Sequence, residues 1–345
     1  MHMADALISP AVGGVMWATT AGLIAYSAKK VKEEEDDRKV PLMGVLGAFI
    51  FAAQMINFSI PATGSSGHLG GGMILAIFLG PYAAFLVMAS VLTVQALFFA
   101  DGGLLALGCN IFNLGFFPCF IVYPLIYRKI IGGHLTQKRI MFGSLIAAII
   151  ALQLGAFGVV LETVFSRISE LPFRTFVLLM QPIHLAIGIV EGLVTAAVVS
   201  FVWKARPEIL NAAERSIPIG KVDMKRVLLA LVAAAVIVGG ALSWFASSNP
   251  DGLEWAMFKT SGKEELESHE NVHTSLAGIQ EKTSFLPDYG FKKGEPVETG
   301  PESDVKTPWP AIDSGTSVSG LIGGTLTLLM VVLIGLGLKR RKDIS

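Results

Sequence analysis

The sequence predicts an all-α polytopic membrane protein, and three observations support this fold class. Hydrophobic residues make up 52% of the chain and charged residues only 16%, with a mean hydropathy of +0.62. Apolar runs of about 20 residues, the length that crosses a bilayer as a helix, recur along the sequence. In lipid each backbone polar group needs a partner within its own segment, which favours helices.

The number and direction of the crossings follow from the apolar runs and the basic loops. Membrane segments are predicted at 10–28, 42–59, 104–127, 139–162, 176–203, 227–247 and 318–338. The stretch 72–99 is either one long tilted helix or two short passes broken at Gly80-Pro81, because proline interrupts a helix. Lys and Arg accumulate on cytoplasmic loops, and the basic loops all lie inside only if 72–99 crosses twice. We therefore expect about nine membrane segments, with the N-terminus outside and the C-terminus inside.

The predicted segments form two units. Residues 1–205 are a membrane unit of seven segments, one or two of them short, and residues 206–226 are a polar cytoplasmic linker. Residues 227–345 contain two helices that flank a long outer loop, 248–317, which is rich in Gly, Pro, Glu and Lys. Two helices around a polar loop bury little surface. The second unit is thus interpreted as an accessory subunit fused to the first.

Charge and cysteine content exclude some partners and sites. The formal net charge is zero, so bulk electrostatics indicate no nucleic-acid partner. Cys109 and Cys119 lie in one apolar run at a spacing that points them to different faces of a helix. Neither a disulfide nor a paired-cysteine metal site is indicated, and both are expected to be packing residues in contact with other helices.

The beginning of the chain predicts a metal site. The Met1 amine, the His2 amide nitrogen and the His2 imidazole can close five- and six-membered chelate rings, so three nitrogens lie in one plane. His68, in the Gly-rich loop Thr63-Gly64-Ser65-Ser66-Gly67-His68-Leu69-Gly70-Gly71-Gly72, would supply a fourth nitrogen. Four planar nitrogens suit Ni(II) or Cu(II) rather than Zn(II). The predicted topology places Met1, His2, His68 and Asp101 on the same outer side.

Four further residues are candidates for supporting this site. Asn57, near the end of a predicted segment, could orient a ligand, as metal sites usually require, or could bond to backbone at a helix end. Thr63 and Ser65 could hydrogen-bond across the loop or be ordinary turn residues. Asp101 could offset cationic charge at the mouth of the site, although Asp-Gly-Gly is also a common tight turn.

Two sets of helical residues have competing interpretations. His184 and Glu191 share one face of the predicted segment 176–203, where an ionisable residue indicates a transport pathway or a buried structural contact. Ala18, Ala21, Gly22 and Ala25 repeat at helical spacing in segment 10–28. Such small residues allow close helix contact, either with a partner subunit or within the protein itself.

Several motifs resemble one transporter family. The opening Met1-His2-Met3-Ala4-Asp5, the runs Gln54-Met55-Ile56-Asn57-Phe58 and Gly67-His68-Leu69, and Gln181-Pro182-Ile183-His184 with Val190-Glu191-Gly192 are similar to the substrate-capture (S) component of energy-coupling-factor importers for nickel or cobalt. The second unit, with Pro250-Asp251-Gly252-Leu253-Glu254 and Leu286-Pro287-Asp288-Tyr289, resembles the small accessory subunit of these importers.

The resemblance implies a function, partners and a location. The metal, Ni(II) or Co(II), would be held as transported substrate by the Met1 amine, the His2 amide and imidazole, and the His68 imidazole, with no organic cofactor. A membrane coupling (T) subunit would contact the small-residue face, and separate ATP-binding subunits would supply the energy. The protein would be a multi-pass component of the cell (inner) membrane.

Two other function classes fit less well. An intramembrane enzyme needs a nucleophile with a base, and no predicted membrane segment contains an H-E-x-x-H or a G-x-S-x-G motif. A stand-alone metal channel or secondary transporter would place several ionisable residues along its path, whereas mainly His184 and Glu191 are available. The chain also lacks a G-x-x-x-x-G-K-[ST] phosphate loop.

Overall fold

A computed structural model describes residues 2–34, 36–169, 171–215, 217–220, 222–263, 271–292 and 309–338. These residues are mostly helical. The helices are α1 (Pro10–Glu34), α2 (Lys39–Gln54), α3 (Gly72–Leu79), α4 (Pro81–Phe98), α5 (Leu107–Ile131), α6 (Gln137–Ser166), α7 (Phe173–Ala205), α8 (Pro207–Arg215), α9 (Lys225–Gly240), α10 (Gly252–Ser261), α11 (Asn271–Thr283) and α12 (Ser314–Leu338).

Six of the described helices are long and apolar enough to span a membrane: α1, α4, α5, α6, α7 and α12. Three more, α2, α3 and α9, lie on the remaining predicted segments and have 16, 8 and 16 residues. At 1.5 Å per residue α3 is only about 12 Å long, too short to cross a bilayer alone. The predicted nine crossings and their orientation remain predictions.

The stretch 72–99 is broken at Gly80, between α3 and α4. Gly80 has φ 75° and ψ 170°, a backbone conformation that an L side chain rarely adopts. Pro81 follows at the first turn of α4, where its missing N–H costs nothing. The two-helix alternative for this stretch is the one that the structure shows.

The mostly helical fold contains one short β-hairpin that the sequence analysis did not predict. Strands β1 (Phe58–Ile60) and β2 (Ser65–Gly67) pair antiparallel, with Ser59 opposite Ser66. The Ser66 N–H also donates to the carbonyl of Pro250, at 2.8 Å. In the hairpin, backbone N–H and C=O groups find their partners in a neighbouring strand. The apolar runs that predicted the helices carry no information about this pairing.

The helix that faces α3 is widened. Phe112–Tyr127 of α5 is a π-helix that contains Pro118 and Pro124, and neither proline has an N–H to donate. At Gly72 a Cβ would lie 2.4 Å from Pro118 Cγ and 2.5 Å from the Leu114 carbonyl oxygen. Only glycine permits this contact, so the start of α3 is fixed against α5 directly after the His68 loop.

The second unit packs on α2 through glycines. A Cβ at Gly320 of α12 would lie 2.3 Å from the Gly239 carbonyl oxygen of α9. A Cβ at Gly44 of α2 would lie 2.8 Å from Val332 Cγ2 of α12. Small residues allow this close approach of helices. The accessory helices therefore pack directly on the helix that leads into the His68 loop.

Candidate metal site

His2 and His68, which are distant in the sequence, meet on the side where β1 and β2 lie. Their imidazole rings stack with centroids 4.9 Å apart and planes 20° from parallel. His2 Nδ1 lies 3.4 Å from Asp101 Oδ1, and the His2 side chain is 7% exposed. Nδ1 is the imidazole nitrogen that closes a six-membered chelate ring with the amide nitrogen of the same residue. The carboxylate therefore lies beside the nitrogen that would bind a cation.

The segment that carries His2 is held by α5 and by the loop before it. Asn110 accepts from the Met3 N–H at 2.8 Å and donates to the Met3 carbonyl at 3.2 Å. The Gly103 N–H donates to the same carbonyl at 2.9 Å. The Asp5 carboxylate accepts from the Ala106 N–H at 3.0 Å, and Met3 itself is fully buried. These bonds hold the extended chain before α1 in the protein rather than in solvent.

The loop that carries His68 is held by a buried carboxylate and a buried amide. Glu191 Oε2 accepts from the Gly70 N–H at 2.7 Å and Oε1 from the Gly71 N–H at 3.1 Å. Gln54 Nε2 donates to the Gly70 carbonyl at 2.9 Å. Gln95 Nε2 donates to Gln54 Oε1 at 2.9 Å. Glu191 lies about 27 Å along α7 from Phe173, so the loop descends well into the helix bundle.

The protonation of the two histidines suits metal binding. Burial lowers the pKa of His2 and of His68 to about 3 each. Both imidazoles are thus neutral at physiological pH, as a metal ligand must be. His68 Nδ1 lies 3.1 Å from the Leu69 carbonyl oxygen, which can only accept, so the proton belongs on Nδ1 and the lone pair on Nε2.

A cavity of about 460 Å³ opens at the two histidines. Its lining includes His2, His68 and Asp101 from the first unit, and Asp251 and Tyr289 from the second. Burial raises the pKa of Asp101, and the hydrogen bond from the Tyr289 hydroxyl, 2.5 Å from Oδ2, opposes that rise. The lining therefore combines imidazole and carboxylate groups, which suit a divalent cation.

The accessory unit contacts both ligand-bearing segments. The His273 Nε2 of α11 lies 3.1 Å from the Asp5 carbonyl oxygen and 2.9 Å from that of Ile8. On the other segment, the Trp255 indole donates to the Thr63 carbonyl at 3.0 Å. The Ser66 hydroxyl donates to the Asn249 carbonyl at 2.8 Å. The second unit is therefore part of the site's outer wall.

The structure places some of the predicted ligands and supporting residues at the cavity and others in the hairpin turn. His2 and His68 come together as expected, whereas Met1 lies outside the described residues. Asn57 lines the cavity, and its carbonyl accepts from the Ser247 N–H at 2.7 Å. The Thr63 hydroxyl donates to the Ile60 carbonyl and accepts from the Ser65 N–H, within the hairpin turn. The Ser65 hydroxyl donates to the Ser66 carbonyl.

The two helical candidates of α7 are both buried next to the His68 loop. Glu191 is 2% exposed and its two oxygens accept the N–H groups of that loop. His184, 1% exposed, lines a small chamber together with His68. Sequence reasoning placed both on one helix face and left a transport role and a structural role open.

The small-residue set on α1 is exposed in this chain. Ala18, Ala21, Gly22 and Ala25 are all exposed, and a Cβ at Gly22 would meet nothing within 4 Å among the described residues. The most apolar part of α1 is only 17% buried. This side of the helix is therefore available to lipid or to another subunit.

Sequence reasoning missed Gln54, Gln95, Asn110 and Asp251 as parts of the site. The first three are polar side chains inside apolar helices, and that position was the signal that could have identified them. Asp251 belongs to the quoted Pro-Asp-Gly motif but was not connected with the histidines. No group of three or more His, Cys, Asp or Glu side chains able to hold a metal occurs among the described residues. The predicted planar set has only two such side chains, His2 and His68. Its other two nitrogens are the Met1 amine and the His2 amide, so it would not form such a group.

Comparison with known proteins decides the family. The profile of the cobalt uptake substrate-specific transmembrane region (CbiM) matches residues 2–209. The chain belongs to the CbiM family. A second profile, the PDGLE domain, matches residues 225–340. A CbiM region followed by a PDGLE domain confirms the resemblance to an energy-coupling-factor S component fused to its accessory subunit.

Individual relatives agree with this assignment. A putative fused nickel transport protein of Archaeoglobus fulgidus is 30% identical over 333 residues, 96% of each chain. A putative metal transport protein of Haloquadratum walsbyi is 37% identical over 61% of this CbiM-family chain and 93% of its own length. The crystal structure of a transition metal transporter is 32% identical and covers 59% of this chain and 93% of its own, with a TM-score of 0.53. All three relatives are named as transport proteins or transporters.

Proposed function

We propose that this protein captures Ni(II) or Co(II) from outside the cell in a square-planar set of four nitrogens. The ligands are the Met1 amine, the His2 amide nitrogen, the His2 imidazole and the His68 imidazole. The observation that carries the proposal is the juxtaposition of the two neutral imidazoles, 4.9 Å apart, beside the Asp101 carboxylate. Relatives named as nickel and cobalt transport proteins support the choice of metal.

The bound ion carries two positive charges, and the site offsets them in two ways. The ionised His2 amide contributes one negative charge to the planar set. The Asp101 carboxylate, 3.4 Å from His2 Nδ1, contributes another next to it. This balance favours a divalent cation over a monovalent one, and the planar geometry favours Ni(II) over Zn(II).

Delivery inward is proposed to depend on partners. The protein works as the capture component of an ATP-driven importer in the cell (inner) membrane, with ATP hydrolysed by separate subunits. Residues 1–205 form the capture unit, 206–226 the cytoplasmic linker and 227–345 the accessory unit. The N-terminus and loop 248–317 lie outside, and the C-terminus lies inside after about nine crossings. A stand-alone channel is the alternative, and ATP depletion would stop uptake only in the importer.

The exposed side of α1 is proposed to bind the membrane coupling subunit. Ala18, Ala21, Gly22 and Ala25 leave a flat surface on which another helix can pack closely. Gly22→Leu should therefore reduce copurification of the coupling subunit while Ni(II) binding by the chain stays unchanged. Gly278→Leu is the matched control, because Gly278 is also a helical glycine with nothing within 4 Å among the described residues.

Titration of the purified full-length protein with Ni(II) tests the capture site. We expect a yellow, diamagnetic planar complex that is lost in His2→Ala and in His68→Ala. His134→Ala is the matched control, because His134 is an exposed loop histidine. A paramagnetic six-coordinate complex would contradict the planar set. Mass spectrometry showing a blocked or removed Met1 amine in a metal-loaded protein would contradict it as well.

A further inference from the structure

Below the two histidines the interior contains a series of three cavities that have lining residues in common. The first is the outer cavity, lined by His2, His68 and Asp251. A second and smaller chamber is lined by His68, His184, Asp251 and Gly252. The first two cavities thus share His68 and Asp251.

A third cavity continues the series. It is lined by Glu191 and Asn113 and shares Gly70, Leu114 and Leu152 with the second chamber. The sequence of cavities runs from the outer surface towards the middle of α7. His184 lies about 16.5 Å along α7 from Phe173, and Glu191 lies about 10.5 Å further.

The hydrogen bonding of His184 leaves a metal-binding nitrogen in the second chamber. His184 Nδ1 lies 2.8 Å from the Met180 carbonyl oxygen. Because a carbonyl oxygen only accepts, the proton belongs on Nδ1 and the lone pair on Nε2. Nε2 is buried and has no hydrogen-bond partner among the described residues. Buried polar atoms are nearly always partnered, so such an atom in a cavity is a place where a water molecule or a cation can bind.

His184 shares its protonation pattern with His68. In both residues a backbone carbonyl fixes the proton on Nδ1, as it does in histidines that bind metals through Nε2. Glu191 differs, because both of its oxygens accept the N–H groups of the His68 loop. Of the two polar residues that α7 presents to this series of cavities, His184 is therefore the one prepared to bind a cation.

The accessory unit lines the second chamber with Asp251 and Gly252. A Cβ at Gly252, the first residue of α10, would lie 3.3 Å from His184 Cε1 and 2.6 Å from Ile183 Cγ2. A Cβ at Gly67 would lie 2.4 Å from Ile187 Cγ1. These two glycines allow the accessory helix and the His68 loop to pack directly on α7. The second chamber thus lies between the accessory helix, the His68 loop and α7, with His68 and His184 both in its lining.

We propose that His184 is a transfer ligand, whose Nε2 receives the cation from the planar site while His68 still holds it. This proposal rests on the proposed function. The step is a ligand exchange: the His184 lone pair displaces the His2 amide nitrogen from the metal, and the released amide nitrogen takes one proton from a water molecule, which leaves as hydroxide. The metal keeps its oxidation state. An uncharged imidazole suits this role, because a transfer ligand has to bind the cation and then release it. It binds Ni(II) or Co(II) without the negative charge by which a carboxylate attracts a cation.

The experiment compares binding and uptake in His184→Gln, with His134→Gln as the matched control. In the complete importer we expect Ni(II) uptake to fall at least tenfold in His184→Gln and to stay at the wild-type rate in His134→Gln. The planar Ni(II) spectrum of the purified His184→Gln protein should be unchanged. Uptake within twofold of wild type would overturn the proposal. Loss of the planar spectrum together with uptake would overturn it too, because His184 would then only support the capture site.

A second measurement isolates the transfer site itself. His2→Ala removes the planar chelate, so the weak Ni(II) binding that remains should depend on His68 and His184. We expect that binding to weaken at least tenfold further in the double variant His2→Ala/His184→Gln and not in His2→Ala/His134→Gln. Equal residual binding in the two double variants would contradict the transfer role. Failure of the wild-type protein to form a planar complex would instead contradict the proposed function.

Discussion

The two segments that bring His2 and His68 together are held in different ways. The His68 loop is bound from within the first unit, by Glu191 and Gln54, both buried among the helices. The segment of His2 is bound near the outer surface, by Asn110 and, from the accessory unit, by His273. The comparison indicates that the loop is the fixed wall of the site. The accessory unit contacts both segments, through Trp255 at the hairpin and His273 at the N-terminal segment, but only the loop is also held by a buried carboxylate.

The largest effect is expected at the fixed wall. Glu191→Ala leaves the buried N–H groups of Gly70 and Gly71 without their acceptor, which costs about 1–3 kcal/mol for each group. Thermal unfolding of the purified protein should show a lower Tm, and Ni(II) titration should show loss of the planar spectrum. Leu193→Ala is the control, because Leu193 is 50% exposed on the same helix. A Glu191→Ala protein with normal Tm and normal Ni(II) binding would refute the fixed-wall interpretation.

An intermediate effect is expected at the N-terminal segment. His273→Ala removes the hydrogen bonding to the carbonyls of Asp5 and Ile8, worth about 0.5–1.5 kcal/mol. Ni(II) affinity should therefore fall about two- to tenfold, with little change in Tm. Val272→Ala, at an exposed neighbour on α11, is the matched control. If His273→Ala destabilised the whole protein as much as Glu191→Ala, the two segments would not differ in the proposed way.

A separate effect is expected from pH. The pKa of His2 and of His68 is about 3 in the folded protein and about 6.5 in the unfolded chain. Between these values the unfolded chain binds more protons, so stability decreases as the pH falls through this window. Without metal, the wild-type Tm should fall by a few degrees more from pH 7 to pH 5 than that of His2→Gln/His68→Gln. An equal fall in both proteins would show that other groups control the acid sensitivity.

The sequence alone determined the fold class, the break at Gly80-Pro81 and the two histidines. Each depends on a local property: the length of an apolar run, the missing N–H of proline, or the chemistry of adjacent donor atoms. The nearness of His2 to His68 was inferred from the basic loops and from the family resemblance. The structure places their rings in contact.

Only the tertiary structure decided which residues hydrogen-bond to the segments of His2 and His68 and which residues line the cavity beside them. The role of Glu191 as acceptor for Gly70 and Gly71, the hairpin of β1 and β2, and the contact of Asp251 with the cavity join segments that are far apart in the chain. A single sequence carries no signal for such pairings, because a polar residue in an apolar helix needs a partner but does not specify which one. The bonds that form depend on how the helices pack.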